Sequence, residues 1–487
     1  MVDQQSDFAA PEGFAGRRVL VCGARLAGAS AARALVALGA QVLVTDSGPA
    51  RVADGLPAGA RFLGDVTDIP SGVQALVTSP GLRPDHPLFI AAQTAGLPVF
   101  GEVEFAWRIR GERAARWLMV TGTNGKTTTV RMLESILISA GIRALAVGNV
   151  GVPIIDAVLA EEPYQVLAVE ASSFQLHHSA TIAPWAGALL NIAPDHLDWH
   201  GSMQQYAMEK TKVWAGTYAV ANADDPAVAG PFAAIRAEHK CSFVVGEPSA
   251  GQYGVRDGML VDDRQRPLLP VDEVRPPGTH NTANALAAAA LAETVGVTPQ
   301  QIAAGLTAFV PDPHRNEFLA ELNGVSYVDD SKATNPHAAA ASLAAFGRVI
   351  WIAGGQLKGA PVDGLVAEFA PRMRAAVLLG QDRDVIAAAL ARHAPDLPVI
   401  IVSRTDDDAM RDVVAAATSL AAAGDVVLLA PAAASLDMYP DYATRGRAFA
   451  AAVAEQAAQR VDAGRVDAGQ VDAGQADAGQ ADAGQTL

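Results

Sequence analysis

Apolar runs of four or five residues, each closing on a glycine or a polar cluster, recur along the chain from Val19 to Leu429 and alternate with alanine-rich stretches. This alternation limits the possible folds more than any other feature. Continuously apolar strands belong to parallel sheets covered on both faces, and parallel neighbours need a crossover helix between them. The first series reads as a strand at Val19–Cys22, a turn at Gly23, a helix to about Leu38 ended by Gly39, and a strand at Gln41–Thr45 that stops at Asp46. Ala75–Thr78 reads as a later strand of the same sheet. A second series comprises Trp117–Val120, Val166–Val169 and Gly187–Leu190; the proline- and charge-rich Pro270–Gly278 then precedes an alanine helix starting near Asn281. A third follows His314, with strands at Val325–Val328, Val349–Ala353, Ala376–Leu379, Val399–Val402 and Val426–Leu429. The pattern predicts three α/β domains, as the 487-residue length also suggests.

Composition removes other classes. With 36 basic and 52 acidic residues the formal net charge is −16. A general binder of nucleic acid or anionic membrane would need a basic surface instead. Cys22 and Cys241 are too far apart in sequence to build a disulfide framework or a cysteine metal site. The start, Met1-Val2-Asp3-Gln4-Gln5, lacks the layout of a signal peptide, and no uncharged apolar run approaches the ~18 residues of a membrane span. A soluble protein of a reducing compartment is expected. From Val461 to Gln485 a five-residue unit containing Asp-Ala-Gly repeats five times, which predicts a disordered acidic tail over 459–487.

The strongest chemical signal is Gly122-Thr123-Asn124-Gly125-Lys126-Thr127-Thr128, between a predicted strand and a predicted helix. Backbone N–H groups in such a loop, backed by a helix N-terminus, make an anion cradle. Lys126 would reach the β- and γ-phosphates and the Thr127 hydroxyl would bind Mg²⁺. The loop is two residues shorter than the general phosphate-loop pattern. Glu170 and His196 each follow a strand and so project at the same sheet edge. Glu170 is a natural Mg²⁺ ligand; by spacing alone His196 is as readily structural as metal-binding. The earlier Gly23-Ala24-Arg25-Leu26-Ala27-Gly28 keeps the outer glycines of a dinucleotide fingerprint, but Arg25 replaces the middle one, and Asp46 falls where a ribose-binding acid would sit. Either a nucleotide site or a plain strand–helix turn fits. Two clusters, Asp330-Ser331-Lys332-Ala333-Thr334-Asn335 and Gly354-Gly355-Gln356-Leu357-Lys358, also follow strands; each is equally open to reading as a helix cap or turn.

Together these segments resemble the Mur ligases of cytoplasmic peptidoglycan synthesis over roughly residues 17–455. The Thr121–Thr128 loop is similar to the superfamily's ATP signature, shared with folylpolyglutamate synthetases. His280-Asn281-Thr282-Ala283-Asn284-Ala285 resembles the segment whose asparagine meets adenine. Asp330–Asn335 and Pro431-Ala432-Ala433-Ala434-Ser435-Leu436-Asp437 look like the D-glutamate-adding branch. The resemblance implies a Rossmann-like UDP-substrate domain (1–112), a central P-loop ATPase-like, mostly parallel domain (113–312) and a Rossmann-like amino-acid domain (313–458). It implies ATP-dependent phosphorylation of UDP-N-acetylmuramoyl-L-alanine and attack by D-glutamate on the acyl phosphate. It also implies two Mg²⁺ ions replaceable by Mn²⁺, a cytoplasmic monomer, and no nucleic-acid partner.

Carried over by motif, Gly122, Thr123, Asn124, Gly125, Lys126, Thr127, Thr128, Asn284, Arg315 and Asp330 would hold ATP. Thr127, Glu170, His196 and a carbamylated Lys210 would hold metal, and Lys126, Asn149, His196 and Lys210 would serve catalysis. Asp46, Ser47 and Ser79 fall on the uridine side; Lys332, Thr334, Lys358, Ser435, Leu436 and Tyr442 fall on the D-glutamate side. Arg25, Asn316 and Tyr442 depart from the family's usual residues. The competing readings are a nicotinamide-dependent oxidoreductase, which leaves Lys126 unexplained, a folylpolyglutamate synthetase, and a nucleotide-binding regulator without catalysis.

Overall fold

Three sheets carry the chain in a computed structural model that describes residues 8, 10–48, 54–111, 114–406 and 408–475. Two compact units divide between Pro311 and Asp312.

The first unit holds two sheets. Strands β1 (Arg18–Cys22), β2 (Gln41–Thr45), β3 (Ala60–Phe62), β4 (Ala75–Thr78) and β5 (Val99–Gly101) are all parallel, in the order β3-β2-β1-β4-β5. That is the doubly wound order, and its direction reverses between β1 and β4, where α/β sheets bind ligands. The loop after β1 and the segment after β4 meet at this crevice. A Cβ on Gly23 would lie 2.4 Å from Ser79 Oγ.

The second sheet runs β14-β13-β12-β11-β10-β9-β6-β8-β7. Its strands are β6 (Arg116–Thr121), β7 (Ala144–Gly148), β8 (Val166–Glu170), β9 (Ala186–Leu189), β10 (Tyr218–Asn222), β11 (His239–Phe243), β12 (Gln252–Arg256), β13 (Met259–Val261) and β14 (Pro267–Pro270). Seven are parallel, and β13 and β14 close one end antiparallel. Strand β6 is buried from Trp117 to Thr121, with the helices Lys126–Ser139 and Thr279–Glu293 packed on one face of its sheet. Burial on that scale is worth roughly 1.5–3 kcal/mol per large apolar side chain.

The first two sheets are tied together. Glu104, 1% exposed on the helix Glu102–Ile109, pairs with Arg108 at 2.7 Å and accepts from the Ala180 and Thr181 amides and the Thr181 hydroxyl. Every oxygen of this buried carboxylate is engaged, as a charge away from water requires.

The second unit's sheet runs β15-β16-β20-β17-β18-β19, with β15 (Glu317–Leu322), β16 (Val325–Asp329), β17 (Val349–Gly354), β18 (Met373–Leu379), β19 (Val399–Ile401) and β20 (Val426–Leu429). It is parallel except at the β15–β16 hairpin. Trp351 is fully buried at its centre and donates to the Ala430 carbonyl.

The last helix runs Tyr442–Gln475, through three copies of the repeat, where composition predicts a tail that is neither helix nor strand. Alanine, glutamine and arginine favour helix and carry the turn past one glycine per copy, each costing about 1 kcal/mol. Residues 476–487 of the expected tail, and the expected boundary at 112/113, lie outside the described residues. Among the described residues, no helix is long and apolar enough to cross a membrane.

Candidate active site

Strand β6 ends at Thr121 and the helix Lys126–Ser139 starts five residues later, so the intervening loop must turn sharply. Gly125 makes the turn at φ 83°, and a Cβ there would meet Asn284 Oδ1 at 2.3 Å. Glycine is thus required by both conformation and space. Asn284, buried on the helix Thr279–Glu293, sits directly behind the cradle and donates to Asn281 Oδ1 at 3.0 Å. The loop is braced from β9's end: Asn124 N donates to Asn191 Oδ1 at 2.8 Å, and Thr123 Oγ1 lies 3.0 Å from the Tyr206 hydroxyl.

Cations and a carboxylate face this cradle. Lys126 Nζ donates to the Gly122 and Thr123 carbonyls at 2.9 and 2.8 Å. Lys210, 2% exposed, donates to the same Gly122 carbonyl at 2.7 Å. Burial first, then the charge of Lys126, holds the Lys210 amine well below the ordinary lysine pKa, against the pull of Asp195 and Glu170. Glu170 ends β8 and is 2% exposed. Its two oxygens accept from Thr127 Oγ1 at 2.7 Å and Asn149 Nδ2 at 2.8 Å. Thr127, Asn149 and Glu170 are therefore one hydrogen-bonded group.

His196 lies in the segment that follows β9. It takes the left-handed conformation at φ 52°, its Nε2 lies 3.5 Å from Asp195 Oδ2, and its ring packs edge-on to Phe174 at 4.7 Å. Among the described residues, the triads of metal-capable side chains already gathered are elsewhere: His314, Glu317 and Asp329, and Asp262, Asp263 and Glu293.

In the second unit Asp330 follows β16, is 8% exposed, and accepts from Ser342 Oγ. Burial pushes its carboxyl up to about 6, with Ser342 and Arg315 pulling it down. The Lys332 ammonium lies over the Tyr442 ring at 3.9 Å. Ser435 is buried, Leu436 is 62% exposed, and Lys358 is exposed at φ 53°. The Thr334 amide donates to the Lys332 carbonyl.

Residues 120–292 match the family described as Mur ligase middle domain, and 314–433 match Mur ligase, glutamate ligase domain. UDP-N-acetylmuramoylalanine–D-glutamate ligase of Streptomyces avermitilis is 52% identical over 90% of this chain and 98% of its own. The enzyme of that name from Thermobifida fusca is 52% identical over 89% and 97%. The chain belongs to the Mur ligase family. The fold agrees: UDP-N-acetylmuramate-alanine ligase from Thermotoga maritima superposes with a TM-score of 0.58 at 18% identity, covering 90% of this chain and 99% of that one.

Within this Mur ligase the first glycine loop is also explained. A Cβ on Gly28 would lie 1.8 Å from the Gly23 carbonyl, so both retained glycines are needed. Arg25 stands at φ −77°, exposed, at the N-cap of the helix Leu26–Ala37, and costs the turn no strain. Asp46 Oδ2 accepts from Ala24 N and Oδ1 from Gly48 N, each at 2.7 Å, so its carboxylate braces the loop. Ser47 beside it is exposed.

Several site-building residues carry no motif of their own. Asn191, Tyr206 and Asp195 support or charge the cradle from segments distant in sequence. Asp225 Oδ2 accepts from Ile192 N at 2.8 Å, fixing the turn that leads to His196. The signal available was their clustering near motif residues: Asn191 and Asp195 lie in the same segment as His196, and Tyr206 four residues before Lys210.

Proposed function

We propose that this chain joins D-glutamate to UDP-N-acetylmuramoyl-L-alanine, using ATP and releasing ADP and phosphate. The observation that carries the reading is the phosphate cradle with Lys126 and Lys210 on one carbonyl and Glu170 held opposite, in a chain half identical to relatives of that activity. A substrate carboxylate oxygen attacks the γ-phosphorus, the bond to the β-phosphate oxygen breaks, and ADP leaves. The amine of D-glutamate then attacks the acyl carbon, loses a proton, and phosphate departs from the tetrahedral intermediate. No protein nucleophile is needed; positioning and charge neutralisation supply the rate.

In this reading the Gly122–Thr128 loop and Lys126 hold the phosphates, Asn284 the adenine, and Arg315 and Asp330 the ribose side. Thr127 and Glu170 offer hard oxygens at one point, a donor set that suits Mg²⁺. When bound, the ion neutralises phosphate charge. Asn149 orients Glu170 through its amide. His196 and a carbamate on Lys210 would serve a second ion, for which Mn²⁺ would substitute. Support for the carbamate is the burial of Lys210: CO₂ adds to an unprotonated amine, the form that burial and Lys126 favour. Lys332, Thr334, Lys358, Ser435, Leu436 and Tyr442 would receive D-glutamate, and Asp46, Ser47 and Ser79 would line the uridine end. The reaction belongs in the cytoplasm and the chain acts as a monomer.

The test is ATP-dependent phosphate release with UDP-N-acetylmuramoyl-L-alanine, comparing D-glutamate with L-glutamate, L-lysine and diaminopimelate. Release with D-glutamate alone is expected. Release with another acceptor moves the branch, and release with none, despite ATP binding, overturns the ligase reading.

A further inference from the structure

Arg445 lies in the first turn of the helix that starts at Tyr442 and is 1% exposed. Among the described residues its guanidinium has no ion-pair partner; it donates to neutral oxygens only. Nε meets Ser331 Oγ at 3.0 Å, Nη2 the Ser331 carbonyl at 2.9 Å, and Nη1 the Ala433 and Gly354 carbonyls at 3.1 and 3.4 Å. Ser331 Oγ in turn donates to the Tyr442 carbonyl at 2.8 Å.

These acceptors belong to three separate loops. Ser331 precedes Lys332; Gly354 opens the turn that reaches Lys358; Ala433 lies two residues before Ser435. The last two loops are also bridged, Gln356 N to the Ala434 carbonyl and Ala434 N to the Gln356 carbonyl at 2.8 and 2.9 Å. Gly355 is confined there, since a Cβ would lie 2.1 Å from the Ala434 carbonyl. The carboxylates of Asp437, Asp329 and Asp330 act on this charge from further off without bonding to it, and a purely structural tie between loops needs no charge. A ligand with two carboxylates does, because a fixed positive charge close to the loops that would receive it favours them.

We propose that Arg445 is the positioning residue for the acceptor amino acid, locking the loops of Lys332, Lys358 and Ser435 into a preformed receptor for two carboxylates. The proposal rests on the ligase reading above. Asp330 keeps its own anchors, Ser342 Oγ and the Leu429 carbonyl, so the nucleotide side is separable.

The test compares Arg445→Lys, Arg445→Met and Ser331→Ala by steady-state kinetics and by amide hydrogen exchange. Arg445→Met is expected to raise KM for D-glutamate by about tenfold or more, and Arg445→Lys by less, the loss expected of charged hydrogen bonds. KM for ATP should stay within about twofold. Exchange should quicken in 354–358 and 432–436 but not in the helix Ala409–Leu420. An unchanged KM for D-glutamate in a folded Arg445→Met protein overturns the proposal, as does an equal rise in both KM values. If Arg445→Met does not fold, Ser331→Ala decides by the same split. A wild-type enzyme that ignores D-glutamate overturns the ligase reading alone; exchange in Arg445→Lys then decides whether the guanidinium holds the loops.

Discussion

Lys126 and Lys210 donate to one and the same oxygen, the carbonyl of Gly122, at 2.9 and 2.7 Å. Two ammonium groups on one acceptor repel, and the buried one yields its proton more easily. Burial and the neighbouring charge both press on Lys210, the more deeply buried of the pair. In the proposed reaction the two lysines take different tasks, Lys126 facing phosphate and Lys210 open to chemical modification.

Lys126→Ala should lower turnover by roughly a thousandfold or more, since a charge fixed against a transferring phosphoryl group is worth several kcal/mol. Phosphate release under saturating substrates measures it. Near-normal turnover would remove Lys126 from the phosphate site.

Lys210→Ala should also be nearly inactive, but with partial recovery on adding acetate or another short carboxylate, which restores an anionic oxygen in the vacated space. A titration of activity against acetate, with chloride as control, gives the answer. Loss without rescue would leave Lys210 as a brace for Gly122.

Gly125→Ala places a methyl 2.3 Å from Asn284 Oδ1 at a φ of 83°. ATP affinity should fall by about tenfold or more, while the melting temperature drops only a few degrees, as about 1–2 kcal/mol of left-handed strain predicts. Calorimetric ATP binding beside thermal melting separates the two; unchanged affinity would mean the loop does not clasp phosphate.

Burial lifts the Asp330 carboxyl from 3.8 to about 6. A carboxyl with a raised folded pKa binds its proton more tightly when folded. Its stabilising contribution is therefore full below pH 3.8 and lost as the pH rises through 6. In the proposed ribose contact the ionised carboxylate is the stronger acceptor, so KM for ATP should rise as pH falls below about 6. Asp330→Asn should flatten that profile, and a profile identical to wild type would place the titration elsewhere.

Cutting the chain before Val461 should change activity by less than about twofold. The anchoring residues of the last helix, Phe449, Ala452 and Val453, lie upstream in the core. A larger loss, measured by the same release assay, would show that the repeat docks.

Much of this architecture was legible because buried parallel strands write themselves as apolar runs. Gln41–Thr45, Ala75–Thr78 and Val426–Leu429 fall where the sequence places them. The strands of the central sheet's far end were not legible: His239–Phe243 is partly exposed and mixed in polarity, and Pro267–Pro270 is bounded by prolines, which mark breaks and not strands. Motif residues on single loops, such as Lys126 and Thr127, could be read directly. Residues that act across loops could not: Arg445 in a helix start looks like any surface arginine until the three carbonyls around it are seen.

The Glu104 clamp has a consequence for substrate choice. By pinning the helix after β5 to Ala180–Thr181, it fixes the span between the crevice at Gly23 and Ser79 and the cradle at Gly122. In the proposed reaction a substrate anchors at the first and reacts at the second, so the clamp would act as a ruler, and a precursor one residue longer would carry its reactive carboxylate past the mark.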